Sequence, residues 1–275
     1  MGGRQKIFNM TNYSKFFTLI TGAAGFLGSE HAKAILNIGY NLIITDIDYK
    51  KLVRLQKKLI LLYPKRKIFF FKMDVSNEDS VIHVKNFIVK KKILLKCLIN
   101  NAAIDPKVKK NNKISNSGKF ENLKISDWDH HLNVGLKGAM ICCKILGSLL
   151  SKNKNGGIIL NIASDLSVIA PKHSLYEKNT FKPAMYSVIK HGIIGLTKYI
   201  ATYWNKKNVR CNALSPGSVY NFQPKKFVEK IKKEIPLGRM AKKNEYHEVL
   251  QFLCTDSSRY MTGQNIVIDG GRSIW

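Results

Sequence analysis

Two side chains four positions apart, Tyr186 and Lys190 in AMYSVIKHGIIGL (184–196), could together move a proton. The stretch is apolar with helical character, and residues i and i+4 of a helix share one face, a turn apart. A free tyrosine has a pKa of about 10, too high for a base at neutral pH, and a nearby ammonium favours the phenolate. Tyr186 beside Lys190 could then take a proton from a substrate hydroxyl, or return one to a developing alkoxide. Chance places Tyr and Lys at this spacing in many helices that do no chemistry. Ser164 adds to the pair: it closes the apolar run GGIILNIAS, where its hydroxyl could hold the oxygen on which that proton moves. Alone, it could equally be a strand-end cap.

A second group of residues suits a dinucleotide. TGAAGFLG, Thr21 to Gly28, follows the apolar run FFTLIT and opens a helical stretch. That context turns a glycine pattern into a phosphate-binding signal. Gly22 allows the tight turn, Gly25 lets backbone approach a pyrophosphate, and Gly28 lets helix and strand pack closely. The phosphates would face the N–H groups at the helix start. A structural glycine turn is the plain alternative. Asp46 ends the next apolar run, NLIITD, eighteen residues after Gly28. A carboxylate there accepts from both ribose hydroxyls and repels a 2′-phosphate, which points to NAD over NADP. Asp48 is a nearby alternative lying beyond the apolar run.

The elements that must position these groups alternate strand and helix along the chain. FFTLIT (16–21), NLIITD (41–46), KIFFF (67–71), KCLINNAA (96–103), GGIILNIAS, VRCNALSPG and QNIVIDGG read as strands. Apolar-throughout strands separated by amphipathic helices imply a parallel sheet covered on both faces. Right-handed crossovers make it an α/β, Rossmann-like doubly wound parallel sheet of about seven strands with helices on both faces. Gly39 suits the stop of the first helix, and Ser76 the cap of the helix after DVSNED. Ser126 and Asp129 have capping-box spacing before a long helix. Residues 1–15 read as a flexible tail and 16–275 as a single dinucleotide-binding domain. Loops at about 104–125, 165–184 and 218–236 would border the substrate, and the last contains a short mobile helix that could close over it.

The 275 residues are 45% hydrophobic, enough for one core. No run of eighteen apolar residues and no apolar signal core appears, so neither a membrane span nor a secretory segment is expected, and a cytoplasmic location is. The five cysteines show no metal-ligand spacing and read as buried thiols in a reducing compartment, and no metal is expected. Lys and Arg number 46 against 18 Asp and Glu, a net charge of +28. A nucleic-acid binder is one reading of that excess; composition drift is the plainer one, because the lysine clusters fall on different elements.

In family order the chain carries the glycine turn 21–28, Asp46, DV at 74–75, NNAA at 100–103, Asn133, NIAS ending at Ser164, YSVIK at 186–190, SPG at 215–217 and DGG at 269–271. The series resembles the short-chain dehydrogenase/reductase family from about Phe16 to Gly271. The resemblance implies hydride transfer between NAD and a secondary alcohol or ketone, with Asn133, Ser164, Tyr186 and Lys190 as catalytic residues. Lys190 would also bind the nicotinamide ribose, and Asn133 would hold a water linking Lys190 to solvent. Asp74 would bond adenine and Val75 flank it, while Asn100 and Ala102 would support the central strand and the cofactor. The implied cofactor site is Thr21, Gly22, Gly25, Phe26, Leu27, Gly28, Asp46, Asp74, Val75, Asn101, Ala102, Ala103, Tyr186, Lys190, Pro216, Gly217 and Val219.

Two departures stand out. Ser164 and Tyr186 lie 22 positions apart, more than is usual in the family, and the Thr usual after PG is absent from SPGSVYNF. SDLSVIAP…KPAMYSVIKHGIIGLTKY further resembles dehydrogenases of bacterial surface-polysaccharide and flagellin-glycan biosynthesis. A small-molecule substrate, possible phosphorylated or nucleotide-linked sugars among them, and a homodimer or homotetramer follow as expectations. Asp165, Tyr176 and Tyr220 are the expected substrate contacts, with Phe181, Asn221 and Phe222 as further wall candidates. A catalytically silent NAD-binding regulator is the competing reading.

Overall fold

The computed structural model describes residues 13–105 and 119–275. Most of the expected tail, and residues 106–118 of the 104–125 loop with its KVKKNNK lysines, lie outside the described residues. Seven parallel strands form one sheet in the order β3-β2-β1-β4-β5-β6-β7. They are β1 Phe17–Ile20, β2 Asn41–Asp46, β3 Ile68–Lys72, β4 Leu95–Asn100, β5 Gly157–Ile162, β6 Val209–Pro216 and β7 Asn265–Ile268. The four residues of β1 and all six of β5 are buried, as strands with helices on both faces must be. The order reverses between β1 and β4, where the chain departs in opposite directions and leaves a crevice above the carboxyl ends of the strands.

One face of the sheet is covered by α1 (Phe26–Asn37) and α2 (Tyr49–Leu62), which share a core with Tyr246, Leu250 and Leu253 near the chain's end. On α2 the buried residues are Leu52, Leu55 and Leu59, a single apolar stripe, and Asp48 caps the helix by accepting from Lys51 N. The other face carries α3 (Glu78–Lys90), the long helix α4 (Ile125–Leu150) and α5 (Ala184–Tyr203). Gly39, at φ +101°, follows the end of α1 as a left-handed stop.

Two expected caps are displaced. Asn77, not Ser76, caps α3, its side chain accepting from Ser80 N, while Ser76 donates its hydroxyl to Asp74. Ser126 lies inside α4, which starts at Ile125 after Lys124 with no side-chain cap. These are slips of one and two residues, within which boundary signals compete. By length and composition α4 could cross a membrane, with a mean hydropathy of 1.3. Half of that apolar window is buried inside the fold, and Ile141, Cys142, Ile145 and Leu146 belong to the sheet's core. The five cysteines are buried free thiols.

A polar thread crosses this core. Asn100 on β4 donates to Asn161 on β5 at 2.8 Å, and Asn161 donates to Thr197 on α5 at 2.9 Å. These groups are buried, so each unmet bond would be costly, and the thread fixes α5 against the sheet's centre. α5 is the helix that carries Tyr186 and Lys190.

Candidate active site

The cleft at the switch point encloses about 620 Å³. Its floor on one side is the turn between β1 and α1. Gly22 has φ +61°, and a Cβ there would lie 2.7 Å from Ala102 Cα, so backbone occupies the space of a side chain. At Gly28 a Cβ would collide with Gly22 O. Thr21 Oγ1 accepts from Asn101 N and Ala102 N at 3.0 Å each, and Asn101 Nδ2 donates back to Thr21 O and Gly22 O. These bonds lock the turn to the end of β4. They leave the first N–H groups of α1, which have no partner within the helix, facing the cleft. That cradle fits a pyrophosphate. Asp46, at the end of β2, accepts from Ala24 N and Asp48 N at 2.9 Å each, which holds its carboxylate at the cleft wall.

The other side holds the acid–base candidates. Ser164 follows β5 directly, and Tyr186 and Lys190 lie in the first two turns of α5. All three line the cleft, and the Ser164 hydroxyl is within hydrogen-bond reach of the Tyr186 phenol. Ser164 Oγ donates to Asp165 Oδ1 at 2.9 Å and accepts from Leu166 N. Asp165 Oδ2 is held by Arg272 Nη1 at 2.6 Å in a pair only 5% and 8% exposed. Arg272 comes from the segment after β7.

The expected acidification of Tyr186 by Lys190 is not what the site holds. Lys190 is 5% exposed, donates to Ile162 O at 2.9 Å, and its ammonium is 5.7 Å from the Tyr186 ring centre. Burial pushes the phenol well above its ordinary value. Asp105 adds to that rise, the Ser164 bond opposes it, and Asp165 and Tyr176 add smaller rises. Burial also lowers Lys190 to about 8; Asp105 works against the fall and Lys182 with it. The phenol in this site is thus held in its protonated form, and ionising it requires more positive charge beside it.

Of the residues expected at the cofactor, all but Thr21 line the cleft, and Thr21 stands behind it holding Asn101 and Ala102. Asn133 is not brought to the site. It is exposed, while His130 and Val134, four apart on α4, present the face that lines the cleft. Gly135, two residues on, is buried where a Cβ would lie 2.8 Å from Ile189 on α5. Among expected substrate contacts, Asp165 and Tyr176 line the cleft and Asn221 with them. Tyr220 does not: it is 48% exposed and its ring packs on Phe222, itself turned to solvent, while the neighbouring Val219 and Asn221 line the cleft. Phe181 packs on His173 away from the cleft. Residues not foreseen are Asp105, His130, Lys182 and Arg272. The one readable sign was Lys182, four residues before Tyr186 and just ahead of the helix that carries it. The segment expected to close over the site forms α6 (Lys225–Lys232), whose Phe227 and Ile231 pack against Leu175, Tyr176 and Met240.

A doubly wound sheet with a glycine cradle and an ionisable phenol in one cleft defines a dinucleotide-binding α/β enzyme. The family profile described as enoyl-(acyl carrier protein) reductase matches residues 22–273. The chain is 31% identical over 257 residues to a 3-oxoacyl-[acyl-carrier-protein] reductase of Thermotoga maritima, covering 92% of this chain and 96% of that protein. It is 29% identical to an NAD-dependent glycerol dehydrogenase of Listeria innocua, covering 99% and 98%. A short-chain dehydrogenase of Leptospira borgpetersenii, solved with bound NAD+, superposes with a TM-score of 0.80 at 26% identity, covering 96% and 95%. The chain belongs to the short-chain dehydrogenase/reductase family and is an oxidoreductase.

Proposed function

We propose that the protein is an NAD(H)-dependent dehydrogenase/reductase that interconverts a secondary alcohol and a ketone, with Ser164, Tyr186 and Lys190 carrying the reaction. The observation that supports this most is the meeting of those three residues with the glycine cradle in one cleft. Gly22, Gly25, Phe26, Leu27 and Gly28 would hold the pyrophosphate, Asp46 the adenosine ribose, Asp74 and Val75 the adenine. Asn101, Ala102, Ala103, Pro216, Gly217 and Val219 would line the nicotinamide end. A nicotinamide, when bound, supplies or accepts the hydride. Tyr186, its phenol protonated, would give its proton to the ketone oxygen in reduction and recover it in oxidation. Ser164 would hold that oxygen by turning its hydroxyl from Asp165 to the substrate. Lys190, from Ile162 O, would reach the nicotinamide ribose and add charge beneath the phenol. Asp46 supports NAD over NADP, since its carboxylate stands where a 2′-phosphate would add like charge.

For the substrate we propose a polar sugar or sugar derivative in surface-glycan biosynthesis. The likeness of the segment from Ser164 to Tyr199 to such enzymes supports this, as does a glycerol-oxidising relative. A net charge of +28 would favour the arrival of a phosphorylated or nucleotide-linked form. Met140 on α4 and Val188, Tyr199 and Tyr203 on α5 are exposed, and such faces suit a twofold partner, so a homodimer or homotetramer is proposed. Buried free thiols fit a reducing, cytoplasmic location.

The test is an activity screen of sugars and polyols with NAD+, followed by Tyr186→Phe on the best substrate. Losing one general acid–base group costs about 10²–10⁴ in rate, so kcat should fall by about 10³-fold while NADH binding is kept. A variant that turns over normally would remove Tyr186 from the chemistry.

A further inference from the structure

Burial and two carboxylates oppose ionisation of Tyr186, and Lys190 is bonded elsewhere. Among the described residues, the ammonium nearest the centre of the Tyr186 ring belongs to another residue. Lys182 Nζ stands 3.9 Å from the centre of the Tyr186 ring, against 5.7 Å for Lys190. The Lys182 side chain is only 11% exposed, so water screens its charge little. Among the described residues its ion-pair partner is Asp105, at 3.4 Å, and that carboxylate is 60% exposed. Lys182 sits in the stretch that makes the Ser164–Tyr186 spacing long, immediately before the Pro183 that starts α5. Lys182 stands outside the helix, one residue before the N-cap Pro183, and its side chain lies over the face of the Tyr186 ring.

We propose that Lys182 is a second cationic positioning residue for Tyr186, and that Asp105 competes with the phenol for its ammonium. The inference rests on the reading of Tyr186 as the acid–base group. The titratable and charged groups facing the phenol come from every neighbouring element. Asp105 follows β4; Ser164, Asp165 and Tyr176 follow β5; Lys182 precedes α5, Lys190 lies within it, and His130 lines the same cleft from α4. Asp165 is already neutralised by Arg272, so Asp105 is the anion whose charge is least compensated. When Lys182 leans on Asp105, the ring keeps its proton. When it leans on the ring, the phenolate is stabilised. The two lysines also repel one another, which contributes to the lowered value of Lys190. The extra residues between Ser164 and Tyr186 thereby acquire a role in the chemistry besides covering the site.

The experiment is an ultraviolet phenolate titration of the NAD+-loaded protein, taken as the difference from Tyr186→Phe, so that only this phenol is read. Removing a partly paired cation at this distance should raise the midpoint by about one pH unit, a tenfold loss of ionisation, in Lys182→Met. Lys182→Arg keeps the charge and should stay near the wild type. Asp105→Asn should move the midpoint in the opposite direction. Coincident midpoints for wild type and Lys182→Met would overturn the proposal, as would an upward shift in Asp105→Asn. If Lys182→Met does not fold, Lys182→Gln removes the same charge with a polar side chain and is read against the same expectation. The readout needs no substrate: if Tyr186→Phe kept turnover, the functional reading would fall while the coupling of Lys182 to the phenol stayed measurable.

Discussion

At the β1–β4 end of the cleft, Thr21, Asn101 and Asp46 direct their polar atoms to neighbouring backbone, Ala24 N, Asp48 N, Gly22 O and Ala102 N among them. At the β5–β7 end, Ser164, Asp165 and Arg272 bond one another, and Lys182 pairs with Asp105. Backbone positions are set by the sheet and tolerate little change. Ion pairs among side chains depend on residue identity and can be rearranged by single substitutions. The first arrangement suits a ligand of constant shape; the second suits a substrate that differs from one family member to the next, and it ties the proton chemistry to that variable wall.

The sharpest way to break this comparison is at the buried pair. Arg272→Met leaves Asp165 charged, buried and without its cation, and breaking a buried pair in this way costs about 3–5 kcal/mol of stability. The freed carboxylate would also hold the Ser164 proton more tightly and oppose phenolate formation at Tyr186. The expected outcome is a lower Tm in thermal denaturation and a depressed kcat, with NADH binding close to wild type in a fluorescence titration. Asp165→Asn placed in the same chain removes the uncompensated charge and should recover part of both losses. A double variant no better than Arg272→Met would show that Arg272 acts by filling space.

That asymmetry also explains what the sequence disclosed. The strand pattern and the glycine turn are local signals, periodicity and backbone permission, and the seven strands lie within a residue or two of their expected limits at most ends. The cofactor side was legible for the same reason. The substrate side depends on contacts between distant segments: Arg272 reaches Asp165 across 107 positions and Lys182 reaches Asp105 across 77, separations that no spacing rule encodes. Asn133 stands exposed and does not line the cleft; a polar residue in the middle of a helix carries no mark of which face it occupies, and α4 winds through a wide turn at Asn133–Lys137 that shifts the register. Tyr186 and Lys190 were found by their spacing, yet the direction in which burial moves the phenol needed the cleft itself.

A smaller effect is expected where the cofactor end meets a choice between NAD and NADP. Asp46→Ser removes the carboxylate beside the ribose position and leaves Lys51, which lines the cleft next to it and now pairs with Asp48 at 2.9 Å. A hydrogen bond to a charged group contributes about 1.5–3 kcal/mol, so the ratio of NADPH to NADH affinity should rise by about 10–100-fold. Titrating both cofactors against the variant measures it directly. An unchanged ratio would mean that the backbone around Asp46, not its charge, sets the preference.

The smallest effect separates the two ends by their response to acid. His31 on α1, behind the glycine turn, is 1% exposed, and its pKa is lowered to about 4 by burial first and by the His247 ring second, with Glu30 and Asn101 opposing. Its ordinary value is about 6.5. Between those limits the unfolded chain takes up a proton that the folded chain refuses, so stability is full above about pH 6.5 and declines as the pH falls toward 4. At 1.36 kcal/mol per unit the loss by pH 5 is about 2 kcal/mol. Glu30, whose carboxyl is lowered because bonds from Lys33 and Lys243 outweigh its burial, begins to contribute only below its own ordinary range near 4.5, so the interval from pH 6.5 to 5 reads His31 with little interference. Urea denaturation across that interval should give a falling stability in the wild type and a nearly flat one in His31→Leu. The same slope in both proteins would place the acid sensitivity elsewhere. The flat profile would mean that mild acid loosens the cofactor end through α1.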